Sequence, residues 1–308
     1  MTQETVQVEL INADGRLNAR LLLKNARVLL AAGDLPLAKN IFRALIEAGE
    51  LLGTAYSGLG AVLEVEGKLD LAIKAYREAI IYEPTYGSLL ALSELLIKKE
   101  EFKSAIGTLL RASHLGALSP SQGFDIQKHL GNCYMHLDQL NNAEAAYRKA
   151  FELKPDSDPL HVNIGSLALK RNDPATALLN FKEAVRINPL NPAAHCGVGL
   201  ARMAMGEKEL AMAAFQAALD ADIHEVQALY NLVRCAYELK RFEPAREVLA
   251  RYIACNPVNS NILYSYAGIL FHCGRLQEAG DECDKLLSFN PEHGGAKRIK
   301  DLILARTV

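Results

Sequence analysis

The strongest constraint on this chain is a set of residue types that returns every 34 residues. One copy of the set is Gly131, Tyr134, Ala143, Tyr147, Ala150 and Pro155. The next copy is Gly165, Ala168, Ala177, Phe181, Ala184 and Pro189. Matching positions recur on both sides of these copies, which indicates an array of one structural unit whose copies bury their apolar faces against each other.

Each unit is predicted to be a pair of helices, because apolar residues recur at spacings of three and four on either side of a short break such as 66–68. The glycine in such a break ends the first helix, and a closing proline ends the second. Small residues are expected where the paired helices cross, at Ala26, Gly60, Ser93, Gly131, Gly165, Gly199 and Ala267. Large residues are expected to fill the space opposite them, at Phe42, Tyr76, Leu109, Tyr147, Phe181, Phe215 and Leu249.

This combination of glycine, spaced alanines, an intervening aromatic residue and a closing proline resembles the tetratricopeptide repeat. The resemblance covers nearly the whole chain. It implies an all-α fold, a right-handed superhelical solenoid of about eight antiparallel helix pairs with a C-terminal capping helix. The expected pairs are 19–52, 53–85, 86–119, 124–157, 158–191, 192–225, 226–259 and 260–293.

Three segments fall outside the period. Residues 1–18 form an N-terminal extension whose alternating valines fit a strand, the start of a helix or a disordered segment. Residues 120–123 are expected to be an inserted connection between the first three repeats (19–119) and the last five (124–293). Residues 294–308 are expected to be the capping helix, with an apolar stripe at Ile299, Leu302 and Ile303.

Composition argues against several classes of protein. The 34 basic and 36 acidic residues give a net charge of -2, which disfavours nucleic-acid binding. The start of the chain lacks an export signal and no apolar run is long enough for membrane insertion, so a cytoplasmic protein is expected. The six cysteines show no C-x-x-C pair and are interpreted as reduced thiols.

Some residues could also belong to a chemical motif. Gly58-x-Gly60 and Gly197-x-Gly199 do not follow a strand, so a nucleotide loop is disfavoured. His129, Cys133 and His136 share one side of a helix, as metal ligands would, but Cys133 falls at an inward-packing position. Because no nucleophile-base signature is present, we expect no enzyme, no metal and no cofactor.

In the tetratricopeptide family the first helices line a concave face that binds partners. Predicted contacts in the middle repeats form a basic, donor-rich wall of Lys128, His129, Asn132, His136, Asn163, Ser166 and Lys170. Lys128, Asn132 and Asn163 match three positions of the carboxylate clamp of chaperone-binding relatives, whereas Ala193 and Gly197 occupy its other two. The late repeats carry a second predicted strip, consisting of Tyr230, Asn231, Arg234, Tyr237, Asn261, Tyr264, Phe271 and His272.

The sequence therefore predicts a non-catalytic adaptor or scaffold that binds a peptide or a folded protein in its groove. Arg20, Lys24 and Arg27 lie along one side of the first helix and suit an acidic partner. Resemblance to bacterial proteins of motility, polarity or secretion assemblies adds small GTPases as candidate partners, although no residue selects among these settings. The alternatives are a self-assembling homo-oligomer and the regulatory subunit of an enzyme complex.

Overall fold

The computed structural model describes residues 18–116, 118–257 and 259–307. Within those ranges it contains only α-helices and the turns that connect them, as predicted. The chain divides into two compact units at Lys154 and Pro155, which we call unit 1 and unit 2. The predicted N-terminal extension lies outside the described residues apart from Asn18, whose side chain caps the first helix by accepting from the Leu21 amide.

Unit 1 has four helix pairs: α1 (Ala19–Ala31), α2 (Leu35–Glu47), α3 (Leu52–Val65), α4 (Leu69–Tyr82), α5 (Tyr86–Lys98), α6 (Phe102–Ser113), α7 (Pro120–His136) and α8 (Leu140–Leu153). Unit 2 has four more pairs and a last helix: α9 (Asp158–Lys170), α10 (Pro174–Ile187), α11 (Pro192–Ala204), α12 (Lys208–Ala221), α13 (Val226–Leu239), α14 (Glu243–Cys255), α15 (Ser260–His272), α16 (Leu276–Phe289) and α17 (Gly294–Thr307). We call odd-numbered α1–α15 first helices and even-numbered α2–α16 second helices. Each first helix packs against its own second helix, and contacts between first helices occur for α1 with α3 and α5 with α7 in unit 1 and for α9 with α11 and α11 with α13 in unit 2.

Each turn inside a pair uses the same backbone device. One residue adopts a left-handed conformation, and the amide after it bonds to a carbonyl five residues earlier, for example Lys68 to Leu63 at 2.9 Å. Four of these left-handed residues are glycines, at Gly33, Gly67, Gly206 and Gly274, and four are not, at Glu100, Asp138, Asn172 and Lys240. The same turn therefore forms even at Glu100 and Lys240, whose side chains disfavour the left-handed region, whereas Asp138 and Asn172 tolerate it.

The predicted small-against-large packing is confirmed. The Phe181 ring lies against two first helices, so a Cβ added at Gly165 or Gly197 would come within 2.8 or 2.3 Å of it. Gly131 and Gly199 meet Tyr147 and Phe215 in the same way. Because these rings are almost fully buried, each contributes about 1.5–3 kcal/mol to the core.

Residues 120–123 do not form the inserted connection expected from the sequence, because they are the first turn of α7. Ser119 and Gln122 make a capping box, and Pro120 occupies the first helical turn, where its missing amide hydrogen costs nothing. The extra residues therefore lengthen a first helix.

The last helix, α17, packs on α15 and α16 through Ala296 and Ile299, with Ile303 at the margin. Leu302, which was expected to belong to the same apolar stripe, is exposed instead. The stripe that covers the final pair is therefore narrower than the sequence suggested.

Candidate functional site

The predicted basic wall of unit 1 is neutralised by carboxylates that sequence analysis did not include. Lys128 is half-buried, with its ammonium 3.5 Å from the Asp125 carboxylate and 5.4 Å from the centroid of the Phe124 ring. Asp125 also accepts a hydrogen bond of 3.3 Å from the Tyr86 hydroxyl. Burial, followed by the charge of Asp125, raises the pKa of Tyr86 to about 12, so the phenol remains a donor at neutral pH.

His129 and Glu94 form the second polar contact of this wall, with 3.5 Å between imidazole Nε2 and carboxylate Oε1. Burial, reinforced by Lys128, lowers the pKa of His129. Burial, reinforced by the charge of Glu64, raises the pKa of Glu94. Both pKa shifts run opposite to what an ion pair would produce, so the imidazole is neutral at pH 7 and the contact is not a salt bridge.

Asn132 and His136 also have partners inside unit 1. The Tyr147 hydroxyl donates a 2.8 Å hydrogen bond to Asn132 Oδ1. The exposed His136 ring stacks on Phe102, with centroids 4.4 Å apart. The polar groups of this helix therefore have partners within unit 1 in Asp125, Glu94 and the rings, and its role as a partner surface stays a prediction.

A groove lies on the other first helices of unit 1, and sequence analysis missed it. It has a volume of about 380 Å³ and opens between α1, α3 and α5. Its lining includes Arg27, Ser57, Gly87 and Ser88. The sequence does contain a signal for this groove. Small residues occupy first-helix positions of consecutive repeats that carry bulkier side chains in other repeats.

The early part of unit 2 offers little of the predicted clamp. Asn163 is half-buried, Lys170 is exposed, and the Ser166 hydroxyl donates to the Val162 carbonyl of its own helix at 2.8 Å. Gly197 is buried so closely against Phe181 that no side chain fits there. Residue 197 therefore cannot supply the basic side chain that a full carboxylate clamp needs. Of its matching residues, Lys128 and Asn132 belong to unit 1 and Asn163 to unit 2.

The late first helices of unit 2 expose aromatic rings. Tyr230, Tyr237 and Tyr264 have 45%, 41% and 40% of their surface exposed, respectively. Arg234 lies between the two tyrosines of α13, with its Nε 3.9 Å from the Glu238 carboxylate. Glu238 is already held by Lys208 at 2.9 Å, so the guanidinium retains most of its donors for a partner.

Two of these tyrosines are fixed in place by neighbouring helices. Tyr237 packs edge-on against His272, with ring centroids 5.3 Å apart, and its hydroxyl lies over Gly268. Tyr264 contacts His293 at a centroid separation of 5.0 Å and lies over Gly295. Such rings bind with little loss of rotamer freedom, because their positions are set before a partner arrives.

The remaining residues of the predicted strip differ in exposure. Asn261 is exposed on α15, whereas the Asn231 side chain donates to the Gln227 carbonyl of its own helix at 2.8 Å. Phe271 is only 6% exposed and belongs to the core under α17, so its predicted place in the strip is wrong. We call the exposed set the tyrosine strip and define it as Tyr230, Arg234, Tyr237, Asn261 and Tyr264.

The described residues contain no group of three metal-ligating side chains placed to hold an ion. Cys133, between the two histidines considered above, is completely buried, and burial raises the pKa of its thiol to about 11. None of the helices in the described ranges combines the length and apolarity that crossing a bilayer requires.

Comparisons with known proteins agree with this architecture. Tetratricopeptide repeat models match residues 23–85, 124–157, 162–225, 202–262 and 245–293, and one of these models alone matches more than half of the chain. Tetratricopeptide repeat-containing protein trd-1 of Caenorhabditis elegans is 24% identical over 163 residues, covering 53% of this chain but only 20% of that protein.

Two solved structures show the same fold at low identity. A tetratricopeptide repeat protein from Parabacteroides merdae aligns with a TM-score of 0.54 and 14% identity, covering 82% of this chain and 98% of that one. PilW, a widely conserved type IV pilus biogenesis factor, aligns with a TM-score of 0.53 and 19% identity, covering 70% of this chain and 97% of that one. With the helix pairs, their turns and these matches in agreement, the chain belongs to the tetratricopeptide repeat family.

Proposed function

We propose that this protein is a non-catalytic adaptor that holds a peptide segment or a folded protein against the first helices of unit 2. The observation that carries the proposal is the tyrosine strip, where three partly exposed rings, a guanidinium and an amide lie on α13 and α15. Tyrosine and arginine are the residues that most often dominate protein interfaces, because they combine large area with directed hydrogen bonds. The family membership supports the same function.

The proposed setting is a bacterial motility, polarity or secretion assembly in the cytoplasm, with a small GTPase as one candidate partner. PilW, a type IV pilus biogenesis factor, has the same fold. The thiols support a reducing compartment, since four of the six cysteines are buried as apolar core residues. Lys128, His129, Asn132, His136, Asn163, Ser166 and Lys170 remain predicted partner contacts of lower weight than the strip.

The test is affinity capture from the native host with the full chain as bait, quantified by mass spectrometry. In the double variant Tyr230→Ala/Tyr264→Ala, recovery of the specific partner should fall at least about tenfold, since hot-spot tyrosines each contribute about 2 kcal/mol or more. Arg234→Glu should reduce recovery as well, because reversal places a carboxylate beside Glu238. Phe289→Ala is the matched control, as Phe289 is an equally exposed ring on a second helix.

Helical content should be unchanged in all three variants, and the melting temperature should fall by no more than a few degrees, because the replaced side chains are about half exposed. Full recovery with the folded double variant would refute the strip as the binding surface.

A further inference from the structure

A cleft opens between two second helices of unit 1, α4 and α6, with α5 beneath it. The cleft has a volume of about 330 Å³. Ile80, Leu92 and Leu96 form its floor and are almost completely buried, whereas Ile81 at its rim is 71% exposed. The cleft is therefore large enough for one or two apolar side chains of another molecule.

Two arginines line the same cleft, Arg77 on α4 and Arg111 on α6. Both are exposed, and neither makes an ion pair or a side-chain hydrogen bond with any residue that the structure describes. Glu78 directly follows Arg77 in the chain, but neither it nor any other described carboxylate lines the cleft. The cleft thus combines an apolar floor with two guanidinium groups that lack a counter-ion.

Unit 2 contains one of these arginines together with a counter-ion. Arg251 on α14 occupies the repeat position of Arg111, and its Nη1 lies 2.8 Å from Oδ1 of Asp220 on α12. Asp220 in turn occupies the repeat position of Ile81. Where unit 2 supplies a carboxylate from the preceding second helix, unit 1 therefore has an exposed apolar side chain, and Arg111 is left for a carboxylate from outside the chain.

The pair of arginines occurs only at this cleft. At the repeat positions of Arg77 and Arg111, the other consecutive second helices carry Arg43 with Glu78, Leu110 with Lys149, Arg148 with Glu183, Lys182 with Ala217, Gln216 with Arg251 and Ala250 with Lys285. Packing of the repeats does not require two guanidinium groups there, because the other repeats pack without them.

We infer that the cleft between α4 and α6 is a second binding site, which takes a short acidic segment of a partner protein with an Asp or Glu beside a Leu, Ile or Val. The carboxylate binds Arg111 in the way that Asp220 binds Arg251, and Arg77 provides a second cation for it. The apolar side chain packs on the floor of the cleft. The inference goes beyond the proposed function and does not depend on the tyrosine strip, which belongs to the other unit.

The probe is a fluorescein-labelled peptide in which pairs of Glu alternate with single Leu residues. One control peptide has Gln in place of Glu, and another has Ser in place of Leu. Binding to the full chain is followed by fluorescence anisotropy at low ionic strength. We expect the Glu-Leu peptide to bind at least tenfold more tightly than either control, and its affinity to fall as salt is added, since surface charges are screened.

Three results with these probes would overturn the inference. They are failure of the Glu-Leu peptide to bind, equal binding of either control peptide, and equally tight binding of an oligonucleotide of thymidylates. The last result would assign the cleft to phosphate groups and not to a protein segment.

Removal of the two arginines locates the binding. Arg77→Gln/Arg111→Gln should weaken binding of the Glu-Leu peptide at least tenfold, because the carboxylate loses both cations. Arg43→Gln/Arg148→Gln is the matched control, since it removes the same charge from exposed arginines of α2 and α8 that do not line the cleft. We expect the control to change the affinity by less than about twofold. Equal losses in the two double variants would mean that only net charge matters, and would overturn the site.

Ile81→Asp tests the site from the opposite direction, by supplying the counter-ion that unit 2 has. The new carboxylate should occupy Arg111 and weaken binding of the Glu-Leu peptide at least tenfold, whereas Ile81→Asn, of similar size but without charge, should weaken it less. Because Ile81 is exposed, both variants should remain folded, which circular dichroism checks. Unchanged affinity in Ile81→Asp, or equal weakening by both variants, would overturn the role of Arg111. Tyr230→Ala/Tyr264→Ala should not alter the affinity, so failure of this site and failure of the tyrosine strip give different results.

Discussion

The first helices of the two units carry similar residue types but use them differently. In unit 1, α7 turns its lysine, histidine and asparagine onto Asp125, Glu94 and the Tyr147 hydroxyl. In unit 2, the tyrosines of α13 and α15 remain partly exposed and are supported from behind by other rings. Equivalent repeat positions can therefore stabilise the fold in one unit and be open to a partner in the other.

The largest effect is expected at the feature that the units share. Phe42→Ala in unit 1 and Phe181→Ala in unit 2 each remove a buried ring that fills the space beside first-helix glycines. We expect each change to lower the free energy of unfolding by about 3–5 kcal/mol, because the cavity cannot close without moving a helix. Urea denaturation followed by circular dichroism measures the loss.

Hydrogen exchange then locates the loss, since repeat arrays lose protection first around the damaged pair. Phe42→Ala should expose amides of α1–α3, and Phe181→Ala those of α9–α11. If either variant lost less than about 1 kcal/mol of the free energy of unfolding, the two units would not share this packing of a ring beside first-helix glycines.

The second-largest effect distinguishes the polar side of α7 in unit 1 from the tyrosine strip in unit 2. Asn132→Ala removes the acceptor of the Tyr147 hydroxyl in unit 1, leaving a buried donor without its partner. We expect it to lower the free energy of unfolding by about 1–3 kcal/mol. Asn261→Ala in unit 2 removes an exposed amide, so the free energy should change by less than about 0.5 kcal/mol while partner capture weakens.

Tyr147→Phe checks the origin of the first effect, because it deletes only the hydroxyl and should also destabilise the chain. If Asn132→Ala left stability intact but abolished capture, the assignment of Asn132 to structure would be wrong and the two faces would be alike.

The fold could be predicted because its signal is local and repeated. Gly131 and Tyr147, or Gly165 and Phe181, are 16 residues apart in one pair, and the same spacing returns along the chain. The period alone predicts an insertion before α7, whereas Ser119 and Pro120 carry an ordinary helix-start signal. The capping residues, and not the repeat period, therefore determine where α7 begins.

The site was harder to predict because it depends on contacts between repeats. Asp125 precedes Lys128 by three residues on the same helix and could have been recognised as its counter-ion. Glu94 reaches His129 from a different helix, and no spacing within one repeat reveals that contact. Phe271 likewise belongs to the core only because α17 covers it.

The smallest effect tests the carboxylates of unit 1. The pKa of Glu94 lies above its usual value of 4.5 because burial and the charges of Glu64 and Asp125 outweigh the attraction of Lys128. Glu94→Gln removes that charge while keeping a polar group beside the His129 imidazole. We therefore expect Glu94→Gln to raise the melting temperature by a few degrees or less at pH 7.

The sign of the pH dependence follows from the raised pKa. An ionised Glu94 disfavours the folded state, so its penalty develops as pH rises through the unfolded value and the higher folded value, and disappears as pH falls below both. Wild type and Glu94→Gln should melt together at about pH 3–4 and diverge towards pH 7. Glu78→Gln, at an exposed carboxylate of α4, should not produce this divergence. Destabilisation by Glu94→Gln at pH 7 would instead mean that attraction holds the Glu94 carboxylate in the folded state, and its contact with His129 would then be an ion pair.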